Sequence, residues 1–509
     1  MRPTDGQNSL VGAVFPPFTF GAMTADSNTS IRKLEPTNVW NHFCDLNAVP
    51  RPSKKEERVI EFIKSFGESL NLETSVDHAG NVIIRKPATA GKEKSKTVVL
   101  QSHLDMVHQK NADTEFDFDS QGIQMLVDGD WVKANGTTLG ADNGLGVAAI
   151  MSVLASTDID HPPIEALFTI DEETGMTGAK ELQAGHLTGQ IMLNLDTEED
   201  DELTIGCAGG VDIVATGSYT PDALPDSCQC FQITVSGLTG GHSGIDIHRG
   251  RGNANKIMNR LLSLASENNQ ARVVSINGGG LRNAIPRESV ATIGISDGAS
   301  LPDQAWFKAE VNNIVAENQV TDPNLEIVCQ PVEPSSTAIP DSLQASLIAA
   351  LFGVISGIER MSPSISDLVQ TSNNLARVLV ADGQFSIDCL TRSSVNTERQ
   401  QLARSIAAIL KTTGASVEID GDYPGWEPKP DSEIVQLMKT LYEEMFDDQP
   451  NVAACHAGLE CGLLGKNYPD MQMISFGPTI RGAHSPDERA SISSTQKFWK
   501  YLVATLEKI

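Results

Sequence analysis

Three apolar runs in this chain end alike, in imidazole or carboxylate. TVVLQSHLDMV (97–107), IEALFTIDEETG (164–175) and QIMLNLDTEE (190–199) each read as a buried strand that turns polar at its carboxyl end. Between them NGLGVAAIMSVLAS (143–156) and GAKELQAGHL (178–187) read as helices, the first starting beside Asp142. This alternation predicts an α/β fold, a mainly parallel sheet with helices on both faces. Ligands of such sheets bind outside the carboxyl ends of the strands. The rhythm therefore aims every polar cluster at one sheet edge.

The chain has 509 residues, more than one core can hold, so further domains are expected. Helical spacing begins near Glu35, in PTNVWNHFCDL (36–46) and EERVIEFIKSFGESL (56–70), and NVIIRK (81–86) reads as a strand. Residues 1–31 are rich in Pro, Gly, Ser and Thr and lack that spacing, so a disordered extension is expected there. From about Gly209 the texture changes. CFQITVSGL, RVVSINGGG, AIPRESVATIGIS and ASVEID read as alternating strands among helices such as NANKIMNRLLSLASE and DSLQASLIAALFGVI. The expectation is a large α+β insert, 209–424, made of two related halves, within a discontinuous catalytic domain of 32–208 and 425–509.

Charge excludes some partners. The formal net charge is −28, from 66 Asp+Glu against 38 Lys+Arg, and such a surface repels nucleic acid and anionic membranes. No apolar run approaches the ~20 residues of a membrane span. The eight cysteines are scattered without a C-x-x-C pair, which fits reduced thiols in a cytoplasmic protein better than a disulfide framework.

Five polar clusters carry the chemistry: SHLDM (102–106), GADNG (140–144), DEETG (171–175), NLDTE (194–198) and GAHSPDE (482–488). Singly each has an ordinary structural reading, such as a helix cap or a solvated acidic turn. Together they gather negative charge at one sheet edge, which is costly unless cations neutralise it. His, Asp and Glu suit divalent zinc without any thiolate. Two metals sharing a bridging carboxylate would use the whole set.

The order H-x-D, GADNG, E-E, D and a distant His resembles the M20 co-catalytic metallopeptidases, specifically their aminoacyl-histidine dipeptidase branch. The resemblance extends over RKPATAG (85–91), WVKANGTTLGADNG (131–144), GCAGG (206–210), GLTGGHSG (237–244), GNANK (252–256), LRNAIPRE (281–288), YPGW (423–426), HAGLECG (456–462) and GPTIRGAHSPDE (477–488), and covers residue 32 to the C-terminus. It implies that His103 and Asp196 bind one zinc, Glu173 and His484 bind the second, and Asp142 bridges both. It implies that Glu172 is the general base and Asp105 the acid that supports His103. It further implies that the insert is a lid whose His242 stabilises the oxyanion, where losing one donor typically costs ~10²–10³ in rate. Asn283 and Arg392 are candidates to hold the substrate carboxylate, Arg for its bidentate grip. His456 is a candidate pocket residue that reads equally well as a buried structural histidine.

The implied activity is hydrolysis of unblocked dipeptides, including Xaa-His and β-alanyl-histidine (carnosine), with two Zn2+ per chain that Co2+ or Mn2+ can replace. Two rivals stay open at this point: a deacylase or carboxypeptidase of the same superfamily, with identical metal residues, and a non-catalytic metal-binding relative. Monomer and homodimer are both compatible with the sequence, the long insert favouring a doubled lid that imitates a dimer.

Overall fold

Strand Val98–His103 is buried at every position, as expected of a strand covered on both faces. A computed structural model describes residues 28–296 and 300–509. In it this strand lies inside an eight-stranded sheet. The order is Glu73–Val76, Val82–Lys86, Ile164–Thr169, Val98–His103, Ile191–Asn194, Gln472–Ser475, Glu202–Cys207 and Asn451–Cys455. Ile164–Thr169, Val98–His103, Ile191–Asn194 and Gln472–Ser475 run parallel to one another, and so does the outer pair Glu202–Cys207 with Asn451–Cys455. The other three pairings are antiparallel. Parallel pairings thus outnumber antiparallel ones four to three, in a sheet that is mixed overall. At one edge the cause is local: the Asp77 carboxylate accepts the N–H groups of Ala79, Gly80 and Asn81, each at 2.9 Å, closing a tight hairpin. A hairpin can only join antiparallel strands.

Alternation along the strands feeds two cores. Val98, Leu100, Ala166 and Leu193 face helices Ala141–Ala155, Glu433–Phe446 and Ile492–Lys508. Val99, Leu167 and Met192 face helices Thr177–Glu181 and Glu460–Asn467 on the other side. Helix Ala141–Ala155 is buried almost all round, which marks it as a core helix. It starts very close to the strand ends: a Cβ on Gly146 would lie 2.5 Å from Ser102 Oγ and 2.7 Å from Leu195 O. That close approach delivers Asp142 to the carboxyl edge of the sheet.

Residues 209–423 build a separate antiparallel sheet. Its order is Glu326–Val332, Gln229–Ser236, Ser289–Ile295, Arg272–Gly279, Val369–Ala381, Gln384–Ser393, Gly209–Ser218 and Ser416–Tyr423, with Gly357–Met361 beside Val369–Ala381. Two runs of four strands meet where Ile276–Gly279 pair with Arg377–Val380. Helices Ala254–Asn269, Ala305–Asn318, Asp341–Gly353 and Asn396–Lys411 share one apolar core with it. A small four-stranded sheet joins Met125–Asp128 and Trp131–Ala134 to Arg489–Ser491 and Ile480–Arg481. It carries the 482–488 turn to the strand ends.

The extension expected over residues 1–31 lies mainly outside the described residues. The last of it does not: Asn28 accepts the Met125 N–H at 3.0 Å, and Ile31 is fully buried with Val39, Trp40 and Phe43. Ordered packing thus begins before residue 32, because Ile31 supplies part of an apolar cluster. Among the described residues no helix is long and apolar enough to cross a membrane.

Candidate active site

Each polar cluster leaves a strand end or a turn aimed at the same point. His103 closes its strand, and its Nε2 lies 3.2 Å from Asp142 Oδ1 and 3.4 Å from Asp196 Oδ1. His484, on the 482–488 turn, places Nε2 3.1 Å from Asp142 Oδ2 and 3.0 Å from Glu173 Oε2. Two trios result, His103–Asp142–Asp196 and Asp142–Glu173–His484, each with its ligand atoms within 4.8 Å of one another. They share Asp142, one oxygen toward each. Glu172 stands in a third trio with His103 and Glu173, one member from each of the other two.

Asp105 organises this constellation without belonging to either trio. The His103 ring turns Nδ1 toward it, 3.2 Å from its carbonyl oxygen and 3.4 Å from Oδ1. Nδ1 thus faces Asp105, and Nε2, the nitrogen a metal would take, faces the carboxylates of Asp142 and Asp196. Asp105 also accepts Ser53 Oγ–H at 2.7 Å and the N–H groups of Glu172 and Glu173 at 3.0 and 3.3 Å. Burial opposes its ionisation, but the bonds from His103, Ser53 and Glu172 prevail and hold the carboxyl at about 2.

The cluster is short of positive charge. Burial pushes Glu172 well above the ordinary carboxylate range, with Asp196, Glu460 and Glu173 adding to it. Burial, together with Asp142 and Asp196, raises Glu198 to about 8. Hydrogen bonds to Asp142 and Glu173 raise His484 to about 11. These groups take up protons because the pocket lacks other compensation, and divalent cations supply that compensation where ligands are deprotonated. Glu173 Oε1 is buried without a hydrogen-bond partner, an open lone pair within the second trio. Carboxylates and imidazoles around an orphaned oxygen fit a divalent metal.

Several members escaped the sequence reading. Below the trios, Glu460 is buried and accepts Gln101 Nε2–H and Thr169 Oγ1–H, each at 2.7 Å. Burial lifts its carboxyl to about 7. Glu488 lies in the quoted GAHSPDE block but had no role there. It is 2% exposed and accepts the N–H groups of Leu139, Gly140, Ala141 and Asp142. Arg51, 1% exposed, donates to the carbonyls of Leu104, Asp105 and Gly140. A buried arginine far from the motifs leaves no periodic signal in the sequence.

The profile of Peptidase family M20/M25/M40 matches residues 99–508. The chain belongs to the M20 peptidase family. It is 40% identical over 483 residues to the cytosol non-specific dipeptidase of Escherichia coli (strain K12), covering 94% of this chain and 99% of that one. It also resembles the crystal structure of aminoacylhistidine dipeptidase from Vibrio alginolyticus, with a TM-score of 0.90, 42% identity and coverage of 96% and 99%. Aminopeptidase PepT from Bacillus cereus shares the fold at a TM-score of 0.55 and 16% identity, covering 93% of this chain and 99% of that one.

In this M20 chain the inserted sheet meets the metal-candidate edge across a cleft of ≈530 Å3. Asp196, Glu198, Cys455 and His456 of the catalytic sheet side and Ile245 and His248 of the insert line it. The contact is close: a Cβ on Gly244 would lie 2.0 Å from His456 O. His242 accepts the N–H groups of Gly244 and Ile245 on Nδ1, at 3.2 and 3.1 Å, which leaves Nε2 as the proton-bearing donor. Burial and the nearby Arg392 lower its pKa to about 4, so it stays neutral at neutral pH. Its partners all belong to the inserted segment, and none is a member of the two trios. Arg392, 4% exposed, donates to Ser243 Oγ at 3.3 Å and Tyr423 Oη at 2.9 Å. Asn283 is exposed beside the same loop, and its carbonyl accepts the Ser243 N–H at 2.8 Å. His456 is 8% exposed, with Nε2 2.8 Å from Ser372 Oγ, and burial lowers its pKa to about 3.

Proposed function

We propose that this chain hydrolyses unblocked dipeptides, Xaa-His and carnosine among them, at a centre of two zinc ions. His103, Asp142 and Asp196 would hold one ion, Asp142, Glu173 and His484 the other, and Co2+ or Mn2+ can take their place. The observation that carries the reading is Asp142, whose two oxygens face different trios. Bound there, the cations would polarise the scissile carbonyl and acidify a water.

The side chains do the rest. Glu172 accepts the proton of the attacking water and delivers it to the departing amine, a task suited to a carboxyl raised above its ordinary range. Asp105 keeps His103 in the tautomer that presents Nε2 and fixes the backbone on which Glu172 and Glu173 sit. The inserted segment acts as the lid. Closure brings the His242 Nε2–H to the carbonyl oxygen as it becomes an oxyanion, excludes water and completes the site. Arg392 and Asn283 grip the substrate carboxylate, and His456, held by Ser372, shapes the cleft between domain and lid. The carboxyl groups of Glu198 and Glu199 in the cleft offer hydrogen-bond acceptors to a free ammonium group. Eight free cysteines support a reducing, cytoplasmic setting.

The test is a substrate panel with zinc present: Leu-His and carnosine against their N-acetylated forms. The expected kcat/KM is at least ~10²-fold higher for the free dipeptides, as follows when a buried site built for a charged group is left unpaired. Preference for the acetylated forms would move the assignment to a deacylase.

A further inference from the structure

We propose that Glu488 is the positioning residue that ties the shared ligand Asp142 to His484, and so sets the affinity of the second metal position. The proposal rests on the two-metal reading above. Glu488 Oε2 accepts the N–H groups of Leu139 and Gly140 at 2.7 and 2.9 Å, and Oε1 those of Ala141 and Asp142 at 2.7 and 3.2 Å. Four consecutive backbone donors thus converge on one carboxylate that is 2% exposed. Arg51, equally buried, grips the Gly140 carbonyl of the same loop at 2.6 Å and lies within electrostatic reach of Glu488. A buried anion satisfied by four donors and a nearby cation holds its loop rigidly, and losing the acceptor leaves those donors unpaired.

Glu488 also shares a turn with His484. The Glu488 N–H bonds the Ser485 carbonyl at 3.0 Å, Ser485 Oγ–H bonds the Gly482 carbonyl at 2.7 Å, and the Asp487 N–H bonds Ser485 Oγ at 3.2 Å. The carboxylate that cradles the Asp142 loop is therefore four residues from the imidazole facing Asp142 Oδ2. One buried contact joins two ligands separated by more than 340 positions of sequence.

The two metal positions depend on it unequally. His103 and Asp196, at 1% and 8% side-chain exposure, are anchored through Asp105 and Asn143. His484 is 55% exposed and reaches the centre only from this turn. Loosening the turn should cost the second position more than the first.

The experiment is stepwise zinc binding by the full-length enzyme, measured by chelator competition, for the wild type, Glu488→Gln and Glu488→Asp. Glu488→Gln keeps the shape but turns an NH2 group toward two backbone N–H groups. Its weaker zinc affinity should fall ~10–100-fold, the usual effect of losing an outer-shell partner, while the tighter one stays within about threefold. Excess zinc should restore most of kcat, a recovery that general destabilisation would not give. Glu488→Asp keeps the charge but loses reach and should fall between; it carries the test alone if Glu488→Gln does not fold. Two unchanged affinities, or equal losses at both positions, would overturn the proposal. A wild-type enzyme that binds fewer than two zinc ions would instead overturn the two-metal reading.

Discussion

Replacing Glu172 by alanine should leave two zinc ions bound and lower kcat by ~10²–10⁴-fold, about 3–5 kcal/mol of barrier. The reason lies in where Glu172 stands. Its trio takes His103 from one proposed metal position and Glu173 from the other, so its carboxylate is close to ligands of both without being counted in either set. Its backbone N–H is pinned to Asp105 Oδ1 at 3.0 Å, which aims the side chain without using it. Burial among Asp196, Glu460 and Glu173 raises its proton affinity, as a base near neutrality requires. On the proposed reading Glu172 is needed for turnover but not for metal. Metal analysis beside steady-state kinetics on Leu-His checks both halves of the claim. Wild-type kcat in the variant, or loss of zinc in step with loss of rate, would remove Glu172 from that role.

Asp142→Asn should be as damaging by a different route. The amide keeps the size of the carboxylate but offers one weak oxygen where two ionised ones faced His103 and His484. Bound zinc should fall from two ions to at most one, and turnover should drop below detection. The alternative is that Asp142 only starts helix Ala141–Ala155; the variant would then keep its zinc and lose stability alone. Zinc content and thermal unfolding of one preparation separate the two outcomes.

The strands that lead to His103, Glu172–Glu173 and Asp196 were legible because apolar runs buried on both faces turn polar only where they leave the sheet. The pairing directions were less legible. Tight hairpins such as the Asp77 turn reverse the chain at the sheet edge, and the returning segment after Trp426 enters beside strands made long before. Glu488 and Arg51 were not legible as site residues. Their partners are backbone groups, which carry no residue identity, and Glu488 meets positions almost 350 residues away. His242, Arg392 and Asn283 were legible only through resemblance. The structure groups them at the Ser243 loop, whose contact with the 456–462 segment no local pattern announces.

The central claim is that two metal ions sharing Asp142 carry the hydrolysis. Stripping the enzyme with a chelator and titrating zinc back, while following Leu-His hydrolysis and bound metal together, tests it most directly. The account predicts no turnover in the stripped enzyme and full recovery at two zinc ions per chain. Undiminished hydrolysis with the chelator present, or saturation of both binding and rate at one ion per chain, would contradict it.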